Sequence, residues 1–479
     1  MNDSTPSLHH DIQVGILEQA IANAGSPGSR DVAPVLALAK VSKEAYHFAS
    51  KQVLEDLDFT GWKGMRIATT VTRLATNTAS AKPNREEVCS IEIRNDDQKT
   101  AFSDYVPDGD KDGARRDIVA DLFPLGQVSN PASIAMVEKA RQDVGYAFNQ
   151  RHYIDGPILV AAMLCPNLTR LVVDVGATGS YALAFPRLLS LVLQADQVLD
   201  RVRWNNLTYL EVNMDMKANC FLLPRSVKEL VVHHALKDSF STNFPVTTTS
   251  ESNSSQPRQH KLQRLTIAGG EDAGDMAGFV SALINTGSVP DLAYLYITEH
   301  NIDTAATDAL LIACANYLGP VLKEITVDLS YRPEDHLNMA QNNGNLQQPV
   351  SVQSGAFRQL SGLRVARLSR LLLPNISHIG SYLTPQLQTF HVLGAFTEDI
   401  KAMAAQPTFH ALPSWTGLLI LGLDLDENEL GDCIARTDTM LDELRVIVAA
   451  FETNSTALMN ISVRTIGSLE RDSEFIFDE

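Results

Sequence analysis

The sequence contains few cysteines, and none of them stands close to another. The five are scattered along 479 residues, at Cys89, Cys165, Cys220, Cys314 and Cys433. Disulfide scaffolds and zinc sites both need cysteines at short, matched spacings, which this chain lacks. We therefore expect buried thiols and a reducing compartment, the cytoplasm, the nucleus or both.

The sequence also lacks an excess of basic residues and any long apolar run. Its 39 lysines and arginines are outnumbered by 57 aspartates and glutamates, which gives a net charge of −18. A general nucleic-acid or anionic-membrane binder needs a basic footprint, so neither partner is expected. No stretch approaches the roughly 18 apolar residues of a transmembrane helix. The opening residues, MNDSTPSLHHDIQ, have no basic segment followed by an apolar one, so we expect no secretory signal there.

Familiar catalytic and metal-binding motifs are missing as well. The chain has no Walker loop, no G-x-S-x-G, no H-E-x-x-H and no paired C-x-x-C. The histidine pairs at 9–10 and 233–234 are adjacent residues, whose side chains point in different directions rather than toward one ion. Residues 108–113 match the first half of a calcium loop, but Val119 stands where the bidentate glutamate is required, so an acidic surface turn is expected instead. We predict a protein that is not itself an enzyme and that carries no metal or other cofactor.

What the sequence does contain is a recurring six-residue phrase with apolar residues at positions 1, 4 and 6. Copies begin at Leu54 (LEDLDF), Val88 (VCSIEI), Leu168 (LTRLVV), Leu188 (LLSLVL), Leu207 (LTYLEV), Val227 (VKELVV), Leu262 (LQRLTI), Leu292 (LAYLYI), Leu322 (LKEITV), Leu387 (LQTFHV), Leu418 (LLILGL) and Leu458 (LMNISV). Positions 4 and 6 share one face of an extended strand, and position 1 turns into the same core from the approach to the strand. One unit cannot bury its apolar side alone, but a stack of units can.

This phrase resembles the leucine-rich repeat, and the resemblance covers most of the chain from about Leu54 onward. The spacing is irregular, about 20 residues in one block and about 30 to 40 elsewhere. The resemblance implies an α/β fold, a degenerate leucine-rich-repeat solenoid with a parallel strand ladder and irregular convex helices and loops. The alternative is an ordinary α/β domain.

The first 53 residues have a different character, with two amphipathic helical stretches. The phrase LALAKVSKEAYHFA, at 36–49, resembles the second half of an F-box, as found in front of divergent leucine-rich repeats. This resemblance implies a helical module that docks on the Skp-type adaptor of a cullin–RING ubiquitin ligase, of the SCF type. The residues implied in adaptor binding are Val35, Leu36, Leu38, Val41, Ser42, Lys43 and Tyr46. The alternative is that these helices only cap the apolar end of the repeat stack.

The remaining stretches complete the predicted organisation. Helical spacing predicts helices over Ile67 to Thr78, Ile134 to Phe148, Asp155 to Cys165, Thr304 to Leu318 and after Asp438. The polar segments 94–113, 236–260 and 333–354 predict loops. The last two could hold phosphorylation sites but fit tolerated insertions better. We therefore predict an F-box-like module over 1–53, a repeat solenoid over 54–466 and an acidic tail over 467–479.

Positions 3 and 5 of each phrase, and the residue directly after the phrase (position 7), face away from the predicted core. They form the candidate recognition surface. The residues singled out there are Tyr209, Glu211, Arg264, Tyr294, Tyr296, Glu324 and Asp328. Tyrosine and arginine are enriched at binding hot spots because they combine large area with a polar handle. Flanking carboxylates favour a partner with exposed basic groups. We therefore expect an unidentified protein substrate on this face, unless the tyrosines merely reflect strand preference.

Overall fold

The chain is an α/β protein with parallel strands, as predicted. The computed structural model describes residues 55–60, 64–75, 85–94, 111–149, 154–174, 185–213, 223–235, 260–269, 276–299, 304–329, 354–369, 386–393, 419–425 and 459–465. The predicted module at 1–53, the helix after Asp438 and the tail at 467–479 lie outside the described residues. The chain divides into two compact units, residues 1–213 with 220–227, and residues 214–219 with 228–479.

Four parallel strands run through the first unit. They are β1 (Asp56–Asp58), β2 (Ser90–Arg94), β3 (Arg170–Asp174) and β4 (Tyr209–Asn213). Each pairs with the next in chain order, and the register aligns equivalent positions of the repeated phrase. Ile91, for example, lies between Leu57 and Leu171, all at position 4.

Eight parallel strands run through the second unit in the same way. They are β5 (Glu229–Ala235), β6 (Arg264–Gly269), β7 (Tyr294–Glu299), β8 (Glu324–Leu329), β9 (Val365–Ser369), β10 (Thr389–Leu393), β11 (Leu419–Leu425) and β12 (Met459–Thr465). Successive strands pair in chain order, again with equivalent phrase positions side by side.

The apolar positions of the phrase form the core, as the periodicity predicts. At positions 4 and 6, Leu295, Ile297, Ile325 and their counterparts in strands β1 to β9 are buried, as is Phe390 of β10. Position 1 is buried too, at Val88, Leu168, Leu207, Val227, Leu262, Leu292, Leu322 and Leu387. Because each such side chain contributes about 1.5–3 kcal/mol when removed from water, this ladder is the main source of stability.

A repeated backbone turn leads into the strands. The position-1 N–H donates to a carbonyl three residues earlier, as from Leu207 to Trp204 (3.1 Å) and from Leu363 to Leu360 (3.1 Å). The carbonyl of position 2 then accepts from two N–H groups of the next repeat; that of Ala293, for instance, accepts from Lys323 and Glu324. Backbone groups that would otherwise be buried without partners are thereby satisfied.

Helices connect the strands within each unit. In the first unit these are α1 (Gly64–Ala75), α2 (Lys111–Leu122), α3 (Pro131–Asn149), α4 (Asp155–Leu164) and α5 (Phe185–Val198). In the second they are α6 (Met276–Asn285), α7 (Thr304–Ala313), continued as a π-helix over Cys314–Leu318, and α8 (Ser354–Gln359). The predicted helices that begin near residues 67, 134, 155 and 304 are confirmed.

Three local predictions differ from the structure. The phrase at Leu188 is part of helix α5 and not a strand, because Leu188, Leu189 and Val192 also fit helical spacing and are buried on one side of that helix. Strand β9 was not predicted because Ala366 occupies its position 4, where the phrase elsewhere has a larger apolar residue. The end of the predicted loop over 94–113 belongs to helix α2, which begins at Lys111 and buries Val119.

Among the described residues, no helix is both long enough and apolar enough to cross a membrane.

Candidate functional site

The outward strand face of the second unit, which we call the β5–β9 face, carries the larger group of predicted recognition residues. Strand register places Arg264, Tyr294 and Glu324 in one row at position 3. Thr266, Tyr296, Thr326 and Arg367 form the next row at position 5. Positions 4 and 6 of the same strands are buried beneath them. The side chains of this face therefore stand on a rigid, close-packed support.

Arg264 and Tyr294 lie side by side, as predicted from the repeat. The guanidinium carbon of Arg264 is 4.5 Å from the Tyr294 ring centroid, which is a cation–π contact. The same guanidinium lies 3.6 Å, Nε to Oε1, from the carboxylate of Glu229. Both members of this ion pair are exposed, so it orients the arginine more than it stabilises the fold.

A second ion pair on this face comes from a strand that the sequence analysis missed. Arg367 of β9 pairs with Glu324 and lies 3.4 Å, Nη1 to Oγ1, from the hydroxyl of Thr326. The signal that could have revealed it is LRVARL, at 363–368, which matches the phrase if alanine is accepted at position 4. The charge of Glu324 is thus compensated within the face.

Asp328 differs from these carboxylates. It is half-buried, and it makes no hydrogen bond or ion pair with the described residues around it. Burial raises its pKa above the ordinary aspartate value, because the charged form loses hydration. Tyr296, on the neighbouring strand β7, is a diagonal neighbour of Asp328 and is 39% exposed. An exposed aromatic ring beside an uncompensated carboxylate is suited to a cationic, partly apolar ligand group.

The other two predicted recognition residues, Tyr209 and Glu211, lie in the first unit. Arg94 holds the Glu211 carboxylate in a bidentate pair, with Nη1–Oε1 2.6 Å and Nη2–Oε2 3.0 Å. The hydroxyl of Tyr209 donates to the same carboxylate, at 2.6 Å. The hydrogen bond with Glu211 is the main reason why the pKa of Arg94 is raised, with burial opposing it. Only 3% of Glu211 is exposed, so its carboxylate interacts with this network and not with solvent.

The network extends sideways along the same face. Glu92 accepts from Arg94 Nε and from Arg170 Nη1, each at 2.6 Å. The Arg170 guanidinium also lies over the Tyr209 ring, 4.8 Å from its centroid. Because the charged groups of this face already satisfy one another, its role as a partner-binding surface stays a prediction.

Breaking this network should destabilise the first unit measurably. Replacing Arg94 by alanine leaves the buried Glu211 carboxylate without its bidentate partner. We expect the free energy of unfolding to fall by about 2 kcal/mol, less than for a fully buried pair because Arg94 is partly exposed. Urea unfolding of the Arg94→Ala, Glu211→Ala and double variants would give the coupling energy. Arg116→Ala, on an exposed position of α2, is the control, and additive single effects would contradict the prediction.

Of the three described cysteines, Cys165 and Cys314 are buried and form no disulfide, as expected, whereas Cys89 is half-buried. Burial raises the pKa of both to about 12, so neither is an activated nucleophile near neutral pH. Cys220 and Cys433 lie outside the described residues, as do all the residues implied in adaptor binding.

Comparison of the chain with protein-family models finds no match. A search of curated proteins likewise finds no similar sequence. The candidate site therefore rests on the geometry of the β5–β9 face.

Proposed function

We propose that this protein is a recognition subunit that binds another protein through the β5–β9 face. The observation that carries the proposal is the set of exposed and half-buried tyrosine, arginine and carboxylate side chains that stand on a buried parallel sheet. Rigid faces of this composition favour protein partners, since large aromatic area and polar groups are offered together at little conformational cost.

The proposal includes a leucine-rich-repeat-type ladder as the scaffold. Its support is the burial of positions 1, 4 and 6 and the repeated turn before the strands, in which equivalent backbone groups pair from one repeat to the next. Each repeat then forms its backbone hydrogen bonds and core contacts with the repeats next to it, which is how solenoid repeats are stabilised.

We further propose that the protein serves as the substrate receptor of a cullin–RING ubiquitin ligase. Support comes from the F-box-like phrase LALAKVSKEAYHFA in front of the repeats. Residues 1–53 would hold the Skp-type adaptor, and the strand face would hold the protein to be ubiquitylated. The chain itself would supply no catalytic group; rate acceleration would come from holding the target close to the transfer machinery of other subunits.

Size-exclusion chromatography with a purified Skp-type adaptor tests the receptor role. We expect the full chain to co-elute with the adaptor. Removal of residues 1–50, or the paired change Val41→Asp and Tyr46→Asp, should abolish co-elution, because charge would enter an apolar interface. The paired change Val202→Asp and Tyr317→Asp is the matched control, since both side chains are exposed and outside the F-box-like segment.

Each outcome of this experiment is decisive. Co-elution that survives in both N-terminal variants would contradict the assignment of the adaptor site. Absence of co-elution for the full chain would remove the ubiquitin link and leave a protein-binding scaffold whose first helices only cap the repeats.

A further inference from the structure

The charges of the β5–β9 face are compensated in pairs, with one exception. Arg264 is paired with Glu229, and Arg367 with Glu324. Among the described residues of this face, Asp328 is the carboxylate that has neither a hydrogen bond nor an ion pair. A half-buried charge without a partner is unfavourable, and such groups persist in native proteins chiefly where they serve a function.

The described neighbours of Asp328 on this face are small residues. Its neighbour in register on β7 is Thr298, and Thr298 is in register with Ala268 on β6. These side chains are short. Tyr296 is in register with Thr326, which stands two residues before Asp328 on the same face of β8. Tyr296 and Asp328 are therefore diagonal neighbours, with Cα atoms roughly 8 Å apart from the spacings of a parallel sheet.

We infer that Tyr296 and Asp328 together hold one lysine or arginine side chain of the protein partner. The ring of Tyr296 would cover the aliphatic stem or the face of the cation, and the Asp328 carboxylate would accept its hydrogen bonds. This inference rests on the proposed use of the β5–β9 face for protein binding and specifies the chemistry that it recognises.

The geometry favours a basic side chain over other ligands. A metal ion needs several converging oxygen or nitrogen ligands, whereas Asp328 is a single carboxylate among hydroxyl and methyl groups. A phosphate or an acidic peptide would be repelled by a carboxylate that no cation neutralises. A lysine or arginine side chain can contact the exposed Tyr296 ring and also neutralise the Asp328 carboxylate. The aliphatic stems of such side chains commonly pack along apolar surface.

The experiment selects a display library of random dodecapeptides on the immobilised full chain. Peptides enriched on the wild-type protein should contain lysine or arginine next to an apolar residue. Fluorescence anisotropy of the best peptides should show affinity reduced about tenfold or more for Asp328→Asn. Tyr296→Leu, which keeps apolar area but removes the ring, should reduce affinity by about threefold to tenfold. Asp291→Asn removes the same charge from an exposed turn outside the face and should leave affinity unchanged.

A stability measurement separates recognition from a structural role. Because Asp328 is half-buried and unpaired among the described residues, Asp328→Asn should raise the thermal midpoint of the free protein while it weakens peptide binding. A residue with a purely structural role would lower the midpoint and the affinity together.

Two kinds of result would count against the inference. Enriched peptides without a basic preference, or equal losses for Asp328→Asn and Asp291→Asn, would refute the role of Asp328 but leave protein binding by the face intact. Failure of the wild-type chain to enrich any peptide would overturn the use of the face itself. Neither kind of result would bear on the proposed adaptor site, which is tested by variants of residues 1–50.

Discussion

Replacing Arg203 by methionine is expected to lower the free energy of unfolding by about 3–5 kcal/mol. Arg203 donates from Nε to Asp196 Oδ1 at 2.7 Å and from Nη2 to the carbonyl oxygen of Leu122 at 2.5 Å. Asp196 is only 3% exposed. Its Oδ2 atom has no hydrogen-bond partner among the described residues, so removal of Arg203 leaves a buried charge with little compensation.

The pH dependence of this loss follows from the pKa of Asp196. Burial raises that pKa above its usual value, while the charge and hydrogen bond of Arg203 hold it down. Without Arg203 the pKa should rise further. A carboxyl whose pKa is higher in the folded than in the unfolded state favours folding at acid pH, and this contribution is lost as pH rises through the folded-state pKa. The deficit of Arg203→Met relative to wild type should therefore shrink as the pH is lowered from 8 toward 5.

Urea unfolding at several pH values measures this deficit. Arg187→Met, at an exposed position of the same helix α5, should change stability by less than about 0.5 kcal/mol. Adding Asp196→Asn to Arg203→Met should recover part of the loss, because the buried charge is removed. A deficit that is equal at pH 5 and pH 8 would argue against a buried-charge mechanism and in favour of lost packing, for example against Phe123, whose ring centroid lies 5.5 Å from the guanidinium carbon.

Replacing Gly156 by alanine is expected to destabilise the protein by about 3 kcal/mol. A Cβ atom at this position, in the first turn of α4, would lie 2.3 Å from the carbonyl carbon of Ala147 and 2.3 Å from the nitrogen of Phe148. Both are backbone atoms of α3, and they cannot rotate away as a side chain could. The two helices would have to separate, which would open the core around Phe148.

Gly145 provides the matched control within helix α3. A Cβ atom there would meet only Val119 Cγ1, at 3.7 Å, an ordinary contact. Gly145→Ala should therefore stabilise the protein by about 0.5–1 kcal/mol, since alanine loses less conformational entropy in a helix. Similar unfolding midpoints for the two variants would show that the close approach of α3 and α4 is not what requires glycine at position 156.

Much of the fold follows from the repeated phrase. Once the phrase is placed in an extended conformation, the burial of positions 4 and 6, for example Leu171 and Leu295, is a matter of period, because alternate residues of a strand face opposite sides. The phrase is ambiguous where its apolar residues also fit a helix. At Leu188 the neighbouring Leu189 and Val192 continue the helical stripe, and that stripe is buried in α5.

The candidate site was less predictable than the fold. The residues of the outward face could be named from the phrase, and Arg264 does lie against Tyr294 as expected. Which charges of the face form ion pairs could not be predicted, because Arg367 lies on β9, where alanine at position 4 hid the repeat. Glu211 was predicted as a surface contact, yet Arg94, 117 residues away in the chain, encloses its carboxylate.

The sequence by itself determined which residues of each repeat are buried and which face outward, since that depends only on strand geometry and local apolar spacing. Only the tertiary structure decided which outward charges are neutralised. Glu229, Glu324 and Asp328 are all acidic residues on strands of one kind. Arg264, in register with Glu229, reaches the first, and Arg367, diagonal to Glu324, reaches the second, but no arginine or lysine among the described residues pairs with the third. Such ion pairs join side chains from different repeats. Because these residues are far apart in the sequence, no local pattern predicts which of them will pair.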